Sequence, residues 1–475
     1  MSSKITILLS ILAIFSICQA GWADEPVYFV DPNLKAAVEA ELAITDPNSA
    51  DMLGLTYLSA DYSGIFDLTG LEYATNLTSL SMYVNQISDI NAISGLTNLM
   101  GLWLSNNQIS DISALSGLTN LNNINLSANQ ISDISILSGL TNLTALSLCD
   151  NQISDISPLS VLTKLQHLYM SENQISDISV VSNLTNLEKL TIDDNQIIDI
   201  SAISELYKLD LLWLQDNYIS DISALSDLVN LETLWLSSNY ISDISALSGL
   251  VNMTILEIYN NQISDVSALS GMVNLEILEL GGNQISDISA LSELINLKYL
   301  YLYENQIRNI SVISKLTNLL TVMLDNNPLN RTDYCVYLPL IEINNPGVYL
   351  TYDVNPNRQA GDCDGDCLVN FVDISVLGLR WLETECGQCE GADLSGDEDV
   401  NVEDLSILTE HWLESSFKYG DLDDDNDVDA ADYALFAARW REVDCGVCGG
   451  AELSGDGKVG VEDLGVFVEN WLAGK

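Results

Sequence analysis

The stretch Asn107-Gln108-Ile109-Ser110-Asp111-Ile112-Ser113 decides the fold, because the chain repeats it with little change at a fixed interval. Asn85, Asn107, Asn129, Asn151, Asn173, Asn195, Asn217, Asn239, Asn261, Asn283, Asn305 and Asn327 stand 22 residues apart with no insertion. Each closes an apolar frame of the form L-x-x-L-x-L-x-x-N, as in Leu99, Leu102, Leu104 and Asn107, or Leu231, Leu234, Leu236 and Asn239. A constant period of this size means stacked supersecondary units, a solenoid rather than a globular core.

Inside one repeat, Leu102 and Leu104 alternate with Trp103 and Ser105, the two-residue period of a short half-buried strand. The apolar residues that follow, Ile109, Ile112, Leu115 and Leu118, are spaced by three, which suits a 3₁₀ or extended return better than an α-helix. Asn107 stands where the chain turns inward, and a buried amide there must find partners. A ladder of Asn side chains bonding the backbone of neighbouring turns would supply them. One repeat cannot bury its own apolar face, but twelve stacked at ~4.8 Å build one continuous core roughly 55 Å long.

Repeats reading N-Q-I-S-D-I-S-x-L-S-x-L-T-N-L resemble those of the bacterial internalin-like leucine-rich-repeat proteins, and the resemblance runs over 55–327. It implies an α/β solenoid with a parallel β-sheet on its concave face, an extracellular setting, and recognition of other molecules by that face. The solenoid is expected over 63–328, with an N-terminal cap over 24–62 and a C-terminal cap and linker over 329–356. In the first cap, Asp31-Pro32 reads as a helix start, and Leu34, Val38 and Leu42 as its buried stripe. Residues 1–23 read as a secretory signal: Lys4, an apolar run from Ile5 to Ile17, then small residues around Ala20 and Ala23. No other segment could span a membrane and no sorting signal ends the chain, so the expectation is a secreted or surface-associated protein without a transmembrane anchor.

The chain carries 16 Lys+Arg against 68 Asp+Glu, a net charge of −52. Such a surface repels nucleic acid and anionic membranes. With 47% apolar residues the acidity is not a mark of disorder.

Between the core leucines, one residue per repeat points outward: Ser81, Trp103, Asn125, Ser147, Tyr169, Thr191, Trp213, Trp235, Glu257, Glu279, Tyr301 and Met323. Two positions on come Tyr83, Tyr259 and Tyr303. The aromatics Trp103, Tyr169, Trp213, Trp235, Tyr259, Tyr301 and Tyr303 are the candidate ligand-binding residues. Single exposed aromatics on strands are ordinary, but an aromatic stripe rimmed by Glu257 and Glu279 in the 213–303 half is what a binding patch requires. Replacing Trp213 and Trp235 by Ala is expected to abolish binding and leave the melting temperature nearly unchanged.

After Asn355-Pro356-Asn357 a second repeat begins, over 357–475. Four segments place oxygen ligands at loop positions 1, 3, 5 and 12, and three of them at position 9 as well, the pattern that wraps a hard cation such as Ca²⁺. They are Asp362, Asp364, Asp366, Asn370 and Asp373; Asp393, Ser395, Asp397, Asn401 and Asp404; Asp421, Asp423, Asp425, Asp429 and Asp432; and Glu452, Ser454, Asp456 and Asp463. Up to four Ca²⁺ ions are expected, the fourth site weakest because Glu452 and Ser454 open it. Leu377 and Trp381, Leu408 and Trp412, Phe436 and Trp440, and Phe467 and Trp471 follow four and eight residues after position 12, on one face of a helix. A loop followed by one helix, in pairs, resembles the dockerin type I module. That resemblance implies a small all-α calcium-binding unit, a cohesin-like partner and a setting in extracellular polysaccharide breakdown. The match departs at position 6, which is Cys367, Glu398 and Asn426 before Gly457. It departs again at positions 10 and 11, where Phe371-Val372, Val402-Glu403, Ala430-Ala431 and Val461-Glu462 replace a Ser-Thr-like pair.

Cys386-x-x-Cys389 and Cys445-x-x-Cys448 recur 59 residues apart, whereas Cys363 and Cys367 occur only in the first unit. In an exported chain this favours disulfides over zinc, with the pairing open. Cys149 and Cys335 have no evident partner. The two histidines, His167 and His411, lie near no nucleophile motif, and the carboxylates single out no acid/base pair. The reading is therefore a non-enzymatic recognition protein. Its concave face would take an extracellular protein or glycan, and its calcium module would dock it to an extracellular assembly or surface. An accessory of a polysaccharide-degrading complex and an internalin-like adhesin are the two more specific forms of this reading.

Overall fold

The computed structural model describes residues 25–353 together with Leu394, Ser395, Asp399, Val400, Asp404, Leu405 and Ile407. Residues 25–328 and 341–353 belong to one compact unit, the solenoid, and 329–340 to a second.

The solenoid opens with helix α1 (Pro32–Leu42), capped by Asp31, whose Oδ1 accepts from the Asn33 and Leu34 amides at 2.7 and 3.2 Å. The other oxygen of Asp31 accepts from Phe66 N at 2.7 Å, so one fully buried carboxylate both starts the helix and ties it to the first rung. The strands that follow are each three residues long. They are β1 (Tyr57–Ser59), β2 (Ser79–Ser81), β3 (Gly101–Trp103), β4 (Asn123–Asn125), β5 (Ala145–Ser147), β6 (His167–Tyr169) and β7 (Lys189–Thr191). The second half adds β8 (Leu211–Trp213), β9 (Thr233–Trp235), β10 (Ile255–Glu257), β11 (Ile277–Glu279), β12 (Tyr299–Tyr301), β13 (Thr321–Met323) and β14 (Tyr349–Thr351). All pair in parallel and in sequence order as one 14-stranded sheet.

Register is exact from rung to rung: Leu212, Leu234, Leu256, Leu278 and Leu300 align as neighbours and are each 0% exposed. The return path is a chain of 3₁₀ turns stepping by three, as in Leu115 N to Ile112 O, Leu118 N to Leu115 O and Leu121 N to Leu118 O, each 3.0 Å. That step is the one written in the apolar spacing.

The Asn ladder is present and holds the rungs together. Asn107 Nδ2 donates to Met82 O on the preceding rung at 2.9 Å and to Leu104 O on its own at 3.0 Å. Its Oδ1 accepts from Ile87 N at 3.0 Å. The same contacts recur down to Asn327. A second ladder on the opposite edge has no counterpart in the sequence reading: Asn98, Asn120 and Asn142 each donate to a carbonyl 23 residues earlier at 2.8, 2.8 and 2.9 Å, and Asn230 through Asn318 do likewise. At the far end Asn345 replaces a rung's Asn, accepting from Leu319 N and donating to Leu316 O, and β14 closes the sheet.

Cys149 is a free thiol, and Cys335, for which the sequence suggested no partner, is disulfide-bonded. Among the described residues no helix is long and apolar enough to cross a membrane.

Candidate ligand-binding face

Because successive strand residues point to opposite sides, a fixed repeat arranges the outward side chains in straight columns. The central column on β8–β12 reads Trp213, Trp235, Glu257, Glu279, Tyr301, each in register with the next. The indoles of Trp213 and Trp235 stack face to face, with centroids 4.0 Å apart and planes within 4°. Tyr259 and Tyr303 stand in the adjoining column, either side of Gly281. A Cβ at Gly281 would lie 2.3 Å from the Tyr303 ring, so the missing side chain is what lets that ring lie across the sheet. From there Tyr303 donates its hydroxyl to Glu279 Oε1 at 3.1 Å.

Of the seven candidate aromatics, the fold thus gathers Trp213, Trp235, Tyr259, Tyr301 and Tyr303 with Glu257 and Glu279. Trp103 is apart, on β3, folded over Gly101 and lining a shallow concavity of about 520 Å³ with Tyr57, Tyr83 and Asn125. Tyr169 lies on β6 beside His167, ring centroids 6.3 Å apart.

Burial sets the electrostatics of this patch. Glu257 is half-buried, and desolvation, aided by the negative charge of Glu279, pushes its carboxyl from 4.5 up to about 7. Burial also raises Glu279, partly offset by the Tyr303 hydroxyl. Burial together with Glu279 pushes Tyr303 up to about 12. Just after β7, three strands before Glu257, Asp193 is only 8% exposed and raised by burial; the Ser171 hydroxyl donates to it and lies 3.0 Å from Thr191 Oγ1. Indole nitrogens Trp213 Nε1 and Trp235 Nε1 and the Gln215 Oε1 are buried with no hydrogen-bond partner among the described residues.

These facts bear on the expectation that truncating the two tryptophans leaves the melting temperature nearly unchanged. Trp213 and Trp235 are partly packed into the sheet surface rather than freely exposed. Truncation therefore costs stability as well as contact area, about 1–2 kcal/mol each, roughly half the loss from a core aromatic.

The sequence reading also passed over a column at the edge leading into these same strands. Tyr207, Val229, Val251, Val273 and Ile295 are 43 to 57% exposed, where earlier repeats carry Thr97, Thr119, Thr141, Thr163 and Thr185. The signal lay in that substitution, visible only when the repeats are aligned on an exposed position.

Of the metal candidates, Ser395 and Asp404 are described. Asp404, fully buried, accepts through Oδ1 from the Leu394 and Ser395 amides at 2.7 and 2.9 Å, and Val400 is fully buried as well. A position-12 carboxylate that reaches back to the start of its own loop fits a closed cation loop. Asp362, Asp364, Asp366, Asn370, Asp373, Asp393, Asp397, Asn401, Asp421, Asp423, Asp425, Asp429, Asp432, Glu452, Ser454, Asp456 and Asp463 lie outside the described residues. Among the described residues no group of three or more His, Cys, Asp or Glu is placed to hold a metal.

A family model of tandem leucine-rich repeats matches residues 75–117, 98–140, 119–161, 141–183, 163–208, 207–249 and 251–293. The crystal structure of internalin InlF from Listeria monocytogenes is 35% identical, with a TM-score of 0.65 over 70% of this chain and 99% of that one. The chain belongs to the internalin family. The functional domain of Listeria monocytogenes InlJ shares the fold at 23% identity and a TM-score of 0.55, over 66% of this internalin and 78% of that chain. A leucine-rich-repeat protein of Leptospira interrogans shares the fold at 20% identity and a TM-score of 0.51, over 64% and 97%. None of the curated proteins matches the sequence. The internalin fold suits this chain to protein interaction, and its exposed sheet is a surface of fixed shape.

Proposed function

We propose that this internalin is an exported, non-enzymatic recognition protein of the adhesin type. Its β8–β12 concave face binds a protein on the outside of a cell. Its acidic C-terminal region takes up Ca²⁺ and docks the solenoid to an extracellular assembly or surface. The observation that carries the first part is the in-register column Trp213, Trp235, Glu257, Glu279, Tyr301. Large aromatic side chains held on a rigid sheet lose little conformational freedom when a partner covers them, and such residues dominate interface energies. The acidic loops and the Asp404 contacts support the second part.

Fluorescently labelled full-length chain and its Trp213→Ala/Trp235→Ala variant would be applied to intact candidate target cells. Some cells would first be treated with protease and others with glycosidases. Binding that disappears after protease and is lost in the variant is the expected result. Binding that survives protease and is lost after glycan removal would replace this reading by the polysaccharide one.

A further inference from the structure

The stack of Trp213 on Trp235 leaves one face of Trp235 turned away from its neighbour, and the next side chains along that row are Glu257 and Glu279. Both carboxylates are half-buried on adjacent rungs, roughly 4.8 Å apart along the sheet. The Glu279 carboxylate accepts from the Tyr303 hydroxyl; the Glu257 carboxylate accepts no hydrogen bond from a described residue. No lysine or arginine stands in the outward columns of β8–β12, occupied by residues 211, 213 and 215 and their equivalents every 22 positions to 303. Lys298, at the entrance to β12, is taken by Glu276 at 2.7 Å. The concave face thus carries two acidic groups in the row that continues from Trp235, and the described residues supply no cation for them.

One chemical group answers all of this. A guanidinium is planar, stacks on indole, is weakly hydrated and presents a fork of N–H donors that suits carboxylates. We infer that the β9–β11 part of the concave face is the seat for an arginine side chain of the protein partner, with the guanidinium against Trp235 and donating to Glu257 and Glu279. This rests on the reading of the concave face as a protein-binding surface and adds to it the chemistry of the central contact.

The seat is also pH-dependent. The groups around Glu257 on this face are Trp235 on β9 and Ser237 just beyond it, Tyr259 just beyond β10, Glu279 on β11, Tyr301 on β12 and Tyr303 just beyond it. Glu279 alone among them is a carboxylate. The arginine binds the ionised form of Glu257, whose carboxyl sits at about 7 in the free protein. Affinity therefore falls as pH drops from 8 to 6, by roughly tenfold.

A library of random twelve-residue peptides displayed on phage would be panned on the full-length chain. Clones would then be sorted by loss of binding to Trp213→Ala/Trp235→Ala. Expected clones carry an arginine at a fixed position. Citrulline, the neutral isostere, should weaken a selected synthetic peptide roughly tenfold or more. In Glu257→Gln/Glu279→Gln that difference should shrink to within about threefold, together with the pH dependence. The glutamine pair keeps the shape of the carboxylates, and an unchanged melting temperature or a higher one shows the variant folded. Tryptophan-dependent clones without arginine, or with equal affinity for the citrulline peptide, would overturn the arginine seat and leave the concave face as a protein-binding surface. If no clone depends on the tryptophans, the seat and the protein-binding reading fail together.

Discussion

Glu257 titrates near neutrality because it stands on a half-buried row beside Glu279, and this has a consequence for stability that needs no ligand. Its folded value of about 7 lies above the 4.5 of an exposed carboxyl. The folded state therefore holds the proton more tightly than the unfolded one. The contribution is fully present below pH 4.5 and is lost as pH rises through 7. Discounted for solvent screening at a half-exposed site, the loss is on the order of 1 kcal/mol. Urea midpoints of the solenoid at pH 5 and pH 8 should show it in the wild type and not in Glu257→Gln. An equal pH dependence in both proteins would mean that Glu257 is hydrated like any surface carboxylate. A second single-residue effect sits just before the ladder Asn of each rung, where the backbone is left-handed: Val84 at φ 55°, Asp216 at 53°, Gly282 at 63°. Val84 is the β-branched member of that series, and Asn tolerates this region far better. Val84→Asn should raise stability by about 1 kcal/mol, measured by the same denaturation.

At the scale of the rung, stability depends on amides that reach across to a neighbour. Asn195 donates to Met170 O, Ile192 O and Asp193 O at 3.1, 3.2 and 2.9 Å and accepts from Ile175 N at 2.9 Å. It is buried, whereas Asn129 makes the same set of contacts half-exposed. Asn195→Ala leaves several backbone groups unmet with no water to replace the amide, a loss of about 2–4 kcal/mol. Asn129→Ala should cost about half of that, since water reaches its site. Hydrogen exchange should localise the first loss to the Ile175 amide and its rung, because a stacked array transmits strain mainly to nearest neighbours. Equal costs for the two variants would show that burial does not set the ladder's strength. This ladder was legible in the sequence because a polar Asn interrupts an apolar frame at a fixed place. The ladder of Asn98, Asn120 and Asn142 was not, since those amides sit in exposed T-N-L turns and their partners lie 23 residues back. Outward columns could be counted from the period, so Trp213, Trp235, Glu257 and Glu279 were placed correctly. Their stacking and desolvation follow from packing between rungs, which a period cannot convey.

The whole molecule divides its acidity unevenly, and the proposed dependence on cations follows from that division. Along the solenoid, each Asp of the N-Q-I-S-D-I-S motif has a local task. Asp111, Asp155 and Asp221 each accept from the backbone N–H two residues on at 2.8 Å, and that bond holds their carboxyls below the usual range. Those charges are spread along a stack of rungs and need no metal. Residues 362–475 instead concentrate 29 acidic against 6 basic side chains in 114 residues, a net charge of −23. Self-repulsion of that size opposes compaction until counter-charge is bound, and cation binding to a folded loop is folding free energy. Calorimetry of the full-length chain in Ca²⁺ should accordingly show two transitions, and EDTA should remove or lower one while leaving the solenoid's in place. The contribution of the second loop can be isolated through Asp404, which closes it by accepting from the Leu394 and Ser395 amides. Asp404→Ala should weaken the calcium-dependent transition without moving the other. Identical melting curves in Ca²⁺ and EDTA would mean that the acidic repeats tolerate their own charge, and the calcium reading would fall while the solenoid's recognition face stood.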